Sequence, residues 1–176
     1  TYIVNKPAQT ELWKNRMYTA EGAVMARAYA YYDQTSDRAA SPTAGQLRRQ
    51  EVVTTTAAGA GTANTYYDYW SNGNQFQITD PLGVTNTTFY DGRFEAYVVC
   101  QRDALGHKTE LRYYGVPGSS DARCPASDGL AAWSGGAPIA GRLFGALQED
   151  RDPNDALTSY EYDPFGRLTK VWRPGQ

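Results

Sequence analysis

The chain has 176 residues, with 17 Lys plus Arg against 19 Asp plus Glu and a net charge of −2. Its basic residues are scattered and form no stripe, which removes the electrostatic footprint of a nucleic-acid binder, and no apolar run approaches the roughly 18 residues of a membrane span. Tyr is used 14 times and Phe only 5, a bias that suits half-buried strands whose rings pack while the hydroxyl reaches water or a partner.

In chain order, Thr10 to Asp33 reads as a hairpin, with Glu11–Tyr18 and Ala23–Tyr32 flanking Glu21-Gly22 as a turn. Ala and Met make a helix the competing reading of the second run, but Tyr29 and Tyr31 alternate and favour a strand. Asp37 to Gly45 is polar and turn-rich, Gln46 to Thr56 reads as a strand, and Ala57 to Ala63 reads as a small-residue linker.

Tyr66 to Asn74 then introduces a phrase that returns along the chain. An Asp opens a tight turn, a Gly closes it, and a Tyr follows the Gly by seven residues. It stands as Asp80-Pro-Leu-Gly83 with Tyr90, as Asp103-Ala-Leu-Gly106 with Tyr113, and as Asp152-Pro-Asn-Asp155 with Tyr162. Asp163-Pro-Phe-Gly166 follows at once. Asp first, Pro second and Gly fourth is the composition a type I turn favours, because Asp caps local donors, Pro presets φ and Gly tolerates the exit geometry.

After each turn, the third, fifth and seventh places read Asn86, Thr88, Tyr90, then Thr109, Leu111, Tyr113, then Thr158, Tyr160, Tyr162. The places between them read Thr87 and Phe89, then Glu110 and Arg112, then Ser159 and Glu161. The second and third sets show the period-two alternation of a strand with one packed and one solvated face. The first two turns are 23 residues apart and the next interval is 49. The excess lies in Gly115 to Gly145, an irregular excursion rich in Gly, Ser, Ala and Pro, with Trp133 as its plug.

A unit this small cannot bury its own apolar face and must lean on its neighbours, so the expected fold is all-β, an antiparallel meander of short strands. Because the chain opens at Thr1 and the phrase is still running at Gln176, residues 1–176 are expected to be one repeat segment of a larger protein.

Tyr160-Glu-Tyr-Asp-Pro-Phe-Gly166-Arg-Leu-Thr-Lys-Val resembles a repeat of the Rhs family, also called YD repeats. The resemblance is strongest over Phe144 to Gln176, good over Tyr66 to Tyr114, and loose over the first 60 residues. It implies an antiparallel β-strip that spirals into a shell in large secreted or cell-surface proteins, including bacterial polymorphic toxins, the B and C components of insecticidal toxin complexes, and teneurins. The long excursion followed by Gly-Arg-Leu-Phe-Gly is most similar to the toxin-complex type. In bacterial members the shell encloses a toxic C-terminal cargo, so the implied partners are neighbouring repeats, the cargo and other toxin-complex subunits. The acidic self-cleaving segment of some relatives has no counterpart between Thr1 and Gln176.

The expected role is therefore structural, not enzymatic, with no cofactor, no catalytic residue and no metal ligand assigned. Tyr90, Tyr113 and Tyr162 are expected to pack between units. The reading from another class is a surface adhesion or carbohydrate-binding module using exposed Tyr and Trp.

Asp150, Asp152, Asn154 and Glu161 fall at positions one, three, five and twelve of a calcium loop. Asp155 occupies the place of the required Gly, however, and Pro153 stiffens the loop, so the turn-and-strand reading is preferred. His107 fills a slot held elsewhere by Val84 and Arg167, which marks a solvated turn residue and not a general base. Asn86-Thr-Thr88 fits a glycan acceptor, one inert in a bacterial protein. Cys100 and Cys124 permit either two free thiols or one disulfide, which would close a 24-residue loop and contribute on the order of 3 kcal/mol.

Overall fold

The computed structural model describes residues 6–13, 24–33, 36–56, 59–119, 121, 123–124 and 143–175, and the statements that follow concern those residues. Every regular element among them is a β-strand, and every strand pair resolved is antiparallel. The strands group into two compact units, Thr1–Thr85 and Asn86–Gln176.

The first unit is a meander of β1 (Gln9–Trp13), β2 (Val24–Tyr32), β3 (Leu47–Thr56), β4 (Gly59–Tyr69) and β5 (Gln75–Thr79). Each strand pairs with the next in sequence. The Ala- and Met-rich run of β2 is a strand, as its alternating tyrosines indicate. The proposed turn at Glu21-Gly22 lies outside the described residues.

One expectation is corrected here. Gly59 to Ala63 is not linker but the first half of β4, with Gly59 opposite Thr56 and Ala63 opposite Val52. Small residues carry little strand preference of their own. The Val- and Thr-rich β3 supplies a ladder whose register places them, so tertiary pairing overrides local propensity.

The second unit runs β6 (Thr85–Tyr90), β7 (Val98–Arg102), β8 (Lys108–Tyr113), β9 (Leu147–Arg151), β10 (Leu157–Tyr162) and β11 (Leu168–Trp172). Again each strand pairs with its successor. The irregular excursion joins β8 to β9, and only 115–119, 121, 123–124 and 143–145 of it are described. Its two ends are stitched together, since Tyr114 N–H donates to Ala146 O at 3.0 Å and Gly145 N–H to Tyr114 O at 2.9 Å. Gly145 has φ 79° and a Cβ there would lie 2.5 Å from the Tyr97 hydroxyl, so only Gly fits. Trp133 lies outside the described residues.

The alternation of packed and solvated faces takes an unexpected polarity in this unit. The most buried side chains of β6 and β8 are Phe89 and Glu110, which occupy the places between the tyrosine positions. Both pair with Cys100, whose side chain is fully buried and linked to Cys124 of the excursion. Cys124 therefore covers that face. Glu110 tolerates this because Lys108 Nζ lies 2.7 Å from its carboxylate.

A bulge recurs at one place in every even-numbered strand. The register shifts between Tyr31 and Tyr32, Asp68 and Tyr69, Phe89 and Tyr90, Arg112 and Tyr113, and Glu161 and Tyr162. In each case the last Tyr of the strand faces the first residue of the returning one: Leu47, Gln75, Val98, Leu147 and Leu168. A bulge bends the strand and adds twist, so five of them in one phase give each hairpin the same set.

Candidate functional site

The device that carries the repeat is built from two turns and one tyrosine. Asp80 Oδ1 accepts backbone N–H groups from Leu82 and Val84, both at 2.8 Å, while Gly83 N–H donates to Asp80 O at 3.0 Å. Asp103 does the same for Leu105 and His107, Asp152 for Asn154 and Ala156, and Asp163 for Phe165 and Arg167. Each Asp N–H also donates to the carbonyl of the residue after the turn. The fourth position has positive φ in every copy: 81° at Gly83, 87° at Gly106, 63° at Asp155 and 81° at Gly166. Trp70 to Asn74 keeps this backbone pattern, with Gly73 at φ 92° and Trp70 in the place of the Asp.

Two aspartates do the same work in longer loops. Asp33 accepts N–H groups from Thr43, Ala44 and Gln46. Asp91, only 1% exposed, accepts four, from Arg93 and Phe94 on one oxygen and from Ala96 and Tyr97 on the other. Burial alone would raise the pKa of both. The backbone N–H groups aimed at the ionised form outweigh it and hold both carboxyls below the ordinary aspartate range. Asp91 was not singled out from sequence, although Tyr90-Asp91 repeats the dipeptide of Tyr162-Asp163 and is the signal that points to it.

The tyrosine that ends an even strand reaches back to the preceding hairpin. Tyr162 donates its hydroxyl to Leu147 O at 2.7 Å, Tyr32 donates to Pro7 O at 3.1 Å, and the Tyr69 hydroxyl is hydrogen-bonded by the Leu47 backbone. Leu47 and Leu147 are themselves the residues opposite the previous bulge tyrosine. Tyr113 packs its ring on Tyr97 at 5.3 Å, and Tyr162 meets Tyr114 edge-on at 6.2 Å. Each such contact adds roughly 1 kcal/mol to the ladder it crosses.

Cys100 and Cys124 are joined, with their Cα atoms 6.4 Å apart. With Phe89 they form a small buried cluster that fixes the excursion to β7.

The other residues singled out from sequence fall as follows. Asp150 on β9 accepts the Tyr160 hydroxyl at 2.6 Å, Asp152 caps its turn, and Glu161 on β10 accepts Trp172 Nε1 at 2.6 Å. Their oxygens serve the chain's own donors, and among the described residues no group of three or more His, Cys, Asp or Glu is arranged to hold a metal ion. The bond from Asp150, with burial second, pushes the Tyr160 hydroxyl up to about 12. His107 sits exposed in its turn with Nδ1 2.8 Å from Asp103 Oδ2. Asn86 is exposed at the start of β6.

With the repeated turn, bulge and tyrosine in place, the last hairpin decides the relationship. Residues 144–174 match the model of the RHS Repeat family. The match spans β9, β10 and β11, so the RHS repeat holds the Asp152 cap, the bulge at Tyr162 and the Asp163 turn. The earlier hairpins, outside the matched residues, carry the same bulge and terminal tyrosine. No curated protein matches the chain.

Proposed function

We propose that this chain is a structural segment of an Rhs-type shell in a large secreted bacterial toxin-type protein, where the strip walls off a C-terminal cargo domain. The observation that carries the reading is the five-fold recurrence of the bulge tyrosine at the end of β2, β4, β6, β8 and β10. A residue that ties its hairpin to the one before it, as Tyr32, Tyr69, Tyr113 and Tyr162 do, is a means of extending a wall. The chain's chemistry supports the same reading, because the aspartates of its repeated turns accept the chain's own backbone N–H groups.

Secretion is supported by the Cys100–Cys124 disulfide, a bond that persists in oxidising compartments. The toxin-complex type is supported by the sequence of the excursion, which opens at Tyr113-Tyr-Gly115 and ends in Gly141-Arg-Leu-Phe-Gly145, and the partners are then neighbouring repeats, the enclosed cargo and other subunits of the complex. The segment itself catalyses nothing in this reading. Intact mass after prolonged incubation should remain that of the unclipped chain.

Limited proteolysis of the full-length protein tests the wall. The C-terminal domain should resist digestion until the strip is cut, and should then be lost rapidly. If that domain in the full protein is digested at the rate of the isolated domain, encapsulation is wrong.

A further inference from the structure

Where β7 turns into β8, the second unit gathers polar side chains that the chain itself does not use. Thr88 lies opposite Gln101 and Gln101 opposite Thr109, so the three share one face of β6, β7 and β8. Among the described residues these side chains have no hydrogen-bond partner, and neither do those of Asn86 and Arg102 beside them. Arg112, Arg123, Arg151 and Arg167 of the same unit, by contrast, each meet a carboxylate.

The unused groups line a recess of about 330 Å³, bounded by Pro153 of the Asp152 turn and within the size class of small-molecule sites. The Asp103 turn brings two further groups to it. Arg102 Nη2 lies 3.2 Å from where a Cβ on Gly106 would stand, so the bare glycine at φ 87° leaves the room that the guanidinium takes. His107 is oriented by Asp103, whose Oδ2 is 2.8 Å from Nδ1, and this leaves Nε2 for a ligand.

The balance of donors and acceptors selects among ligands. Asp103 is the one carboxylate lining the recess, and it is already engaged, with Oδ1 accepting two backbone N–H groups and Oδ2 the imidazole. What remains is chiefly donors: the Arg102 guanidinium, two side-chain amides and the threonine hydroxyls. Such a recess suits a ligand that brings negative charge and several acceptor oxygens. We propose that it binds a tetrahedral oxyanion, the phosphate group of a small organic phosphate, held by Arg102 and His107 over the row of Thr88, Gln101 and Thr109.

The charges around His107 are Asp103 on its own turn and Arg102 from β7, while Lys108 is paired with Glu110, and Asp155 of the neighbouring turn with Arg151. A protonated imidazole donates from both nitrogens, so the anion should bind more tightly at about pH 5.5 than at about pH 8.

The proposal is independent of the shell reading. It is tested by titrating the full chain with phenyl phosphate and with sulfate, whose charge is constant over that pH range, following the amide resonances of Gln101 and Thr109. Acetate at matched ionic strength is the reference. Both tetrahedral anions should saturate with Kd on the order of 10 mM or below, and acetate should not.

Arg102→Gln should weaken sulfate about tenfold, and His107→Gln should remove the pH dependence. Arg27→Gln, which takes the same charge from the first unit, should leave binding unchanged. All three variants should keep the parent circular dichroism and melting curve. Three outcomes overturn the proposal: no saturation by either tetrahedral anion, equal binding by Arg102→Gln, or equal weakening by Arg27→Gln.

Discussion

Asp91 and Asp163 perform one task in two environments. Each follows the tyrosine of a bulge, and each closes a turn by accepting backbone N–H groups. Asp163 opens a four-residue turn nearer the surface, with its side chain 16% exposed, and an exposed Arg167 brings Nε to its second oxygen at 2.6 Å. Asp91 closes a longer loop from inside the fold, with both oxygens filled and no water to replace them. The same residue is thus a local convenience in one hairpin and a structural requirement in the other, because the cost of an unmade hydrogen bond depends on burial.

The largest effect should come from removing that requirement. Asp91→Ala removes a buried carboxylate that four backbone N–H groups share, and a loss of about 4 kcal/mol is expected. Asp163→Ala should cost distinctly less. Urea midpoints of the two variants compare them directly, and equal losses would mean that burial is not what separates the two sites.

The covering of Asp91 traces to the excursion, since Gly92 N–H donates to Gly118 O at 3.1 Å and the disulfide pins the excursion to β7. Replacing Cys100 and Cys124 together by Ala should therefore lower stability by about 3 kcal/mol. It should also make the Asp91 loop behave more like the Asp163 turn. Hydrogen exchange at Phe94 and Tyr97 should rise in this variant while exchange at Phe165 and Arg167 stays fixed. Unchanged protection at Phe94 would detach the burial of Asp91 from the disulfide.

Acid should find the same difference. The Asp91 carboxyl ionises at lower pH in the fold than in the unfolded chain. Its stabilisation is accordingly complete above the unfolded value of about 4 and is lost as pH falls through the folded value. Asp163 shifts in the same direction, led by the Arg167 backbone N–H. The wild-type urea midpoint should fall between pH 5 and pH 2, and Asp91→Asn should flatten that fall more than Asp163→Asn. A slope unaltered by Asp91→Asn would place the acid response elsewhere.

What could be read in advance follows from where the information sits. The four Asp turns were legible because type I geometry demands particular residues at particular places. So were the strands after them, and the RHS repeat itself, because the tyrosines keep count. The bulges were not: the extra residue on the returning strand is Arg48, Phe76, Val99, Gln148 or Thr169, and this set has no shared chemistry. Backbone register specifies a bulge, and any side chain can occupy it. Gly59 to Ala63 was misread as linker for a related reason, since the partner strand supplies its order. The Phe89 and Glu110 face was hidden by a pairing between Cys100 and Cys124 that spacing alone left open.

The smallest effect concerns the fourth place of the tight turn, where Gly166 stands after Asp163 and Asp155 stands after Asp152. Both positions have positive φ, 81° and 63°. Only the Asp has a Cβ to crowd the following carbonyl there. Its one visible compensation is an ion pair with Arg151 Nη1 at 3.5 Å, from a carboxylate 82% exposed, which contributes little in water. Asp155→Gly should therefore stabilise the chain by about 0.5–1 kcal/mol, the left-handed strain removed less the added freedom of Gly in the unfolded state. Gly166→Asp should destabilise it, so the pair forms a reciprocal exchange measurable by urea midpoint. If Asp155→Gly lowers stability, the Arg151 contact outweighs the backbone strain, and the Asp152 turn is held by a side-chain pair that the other copies of the repeat lack.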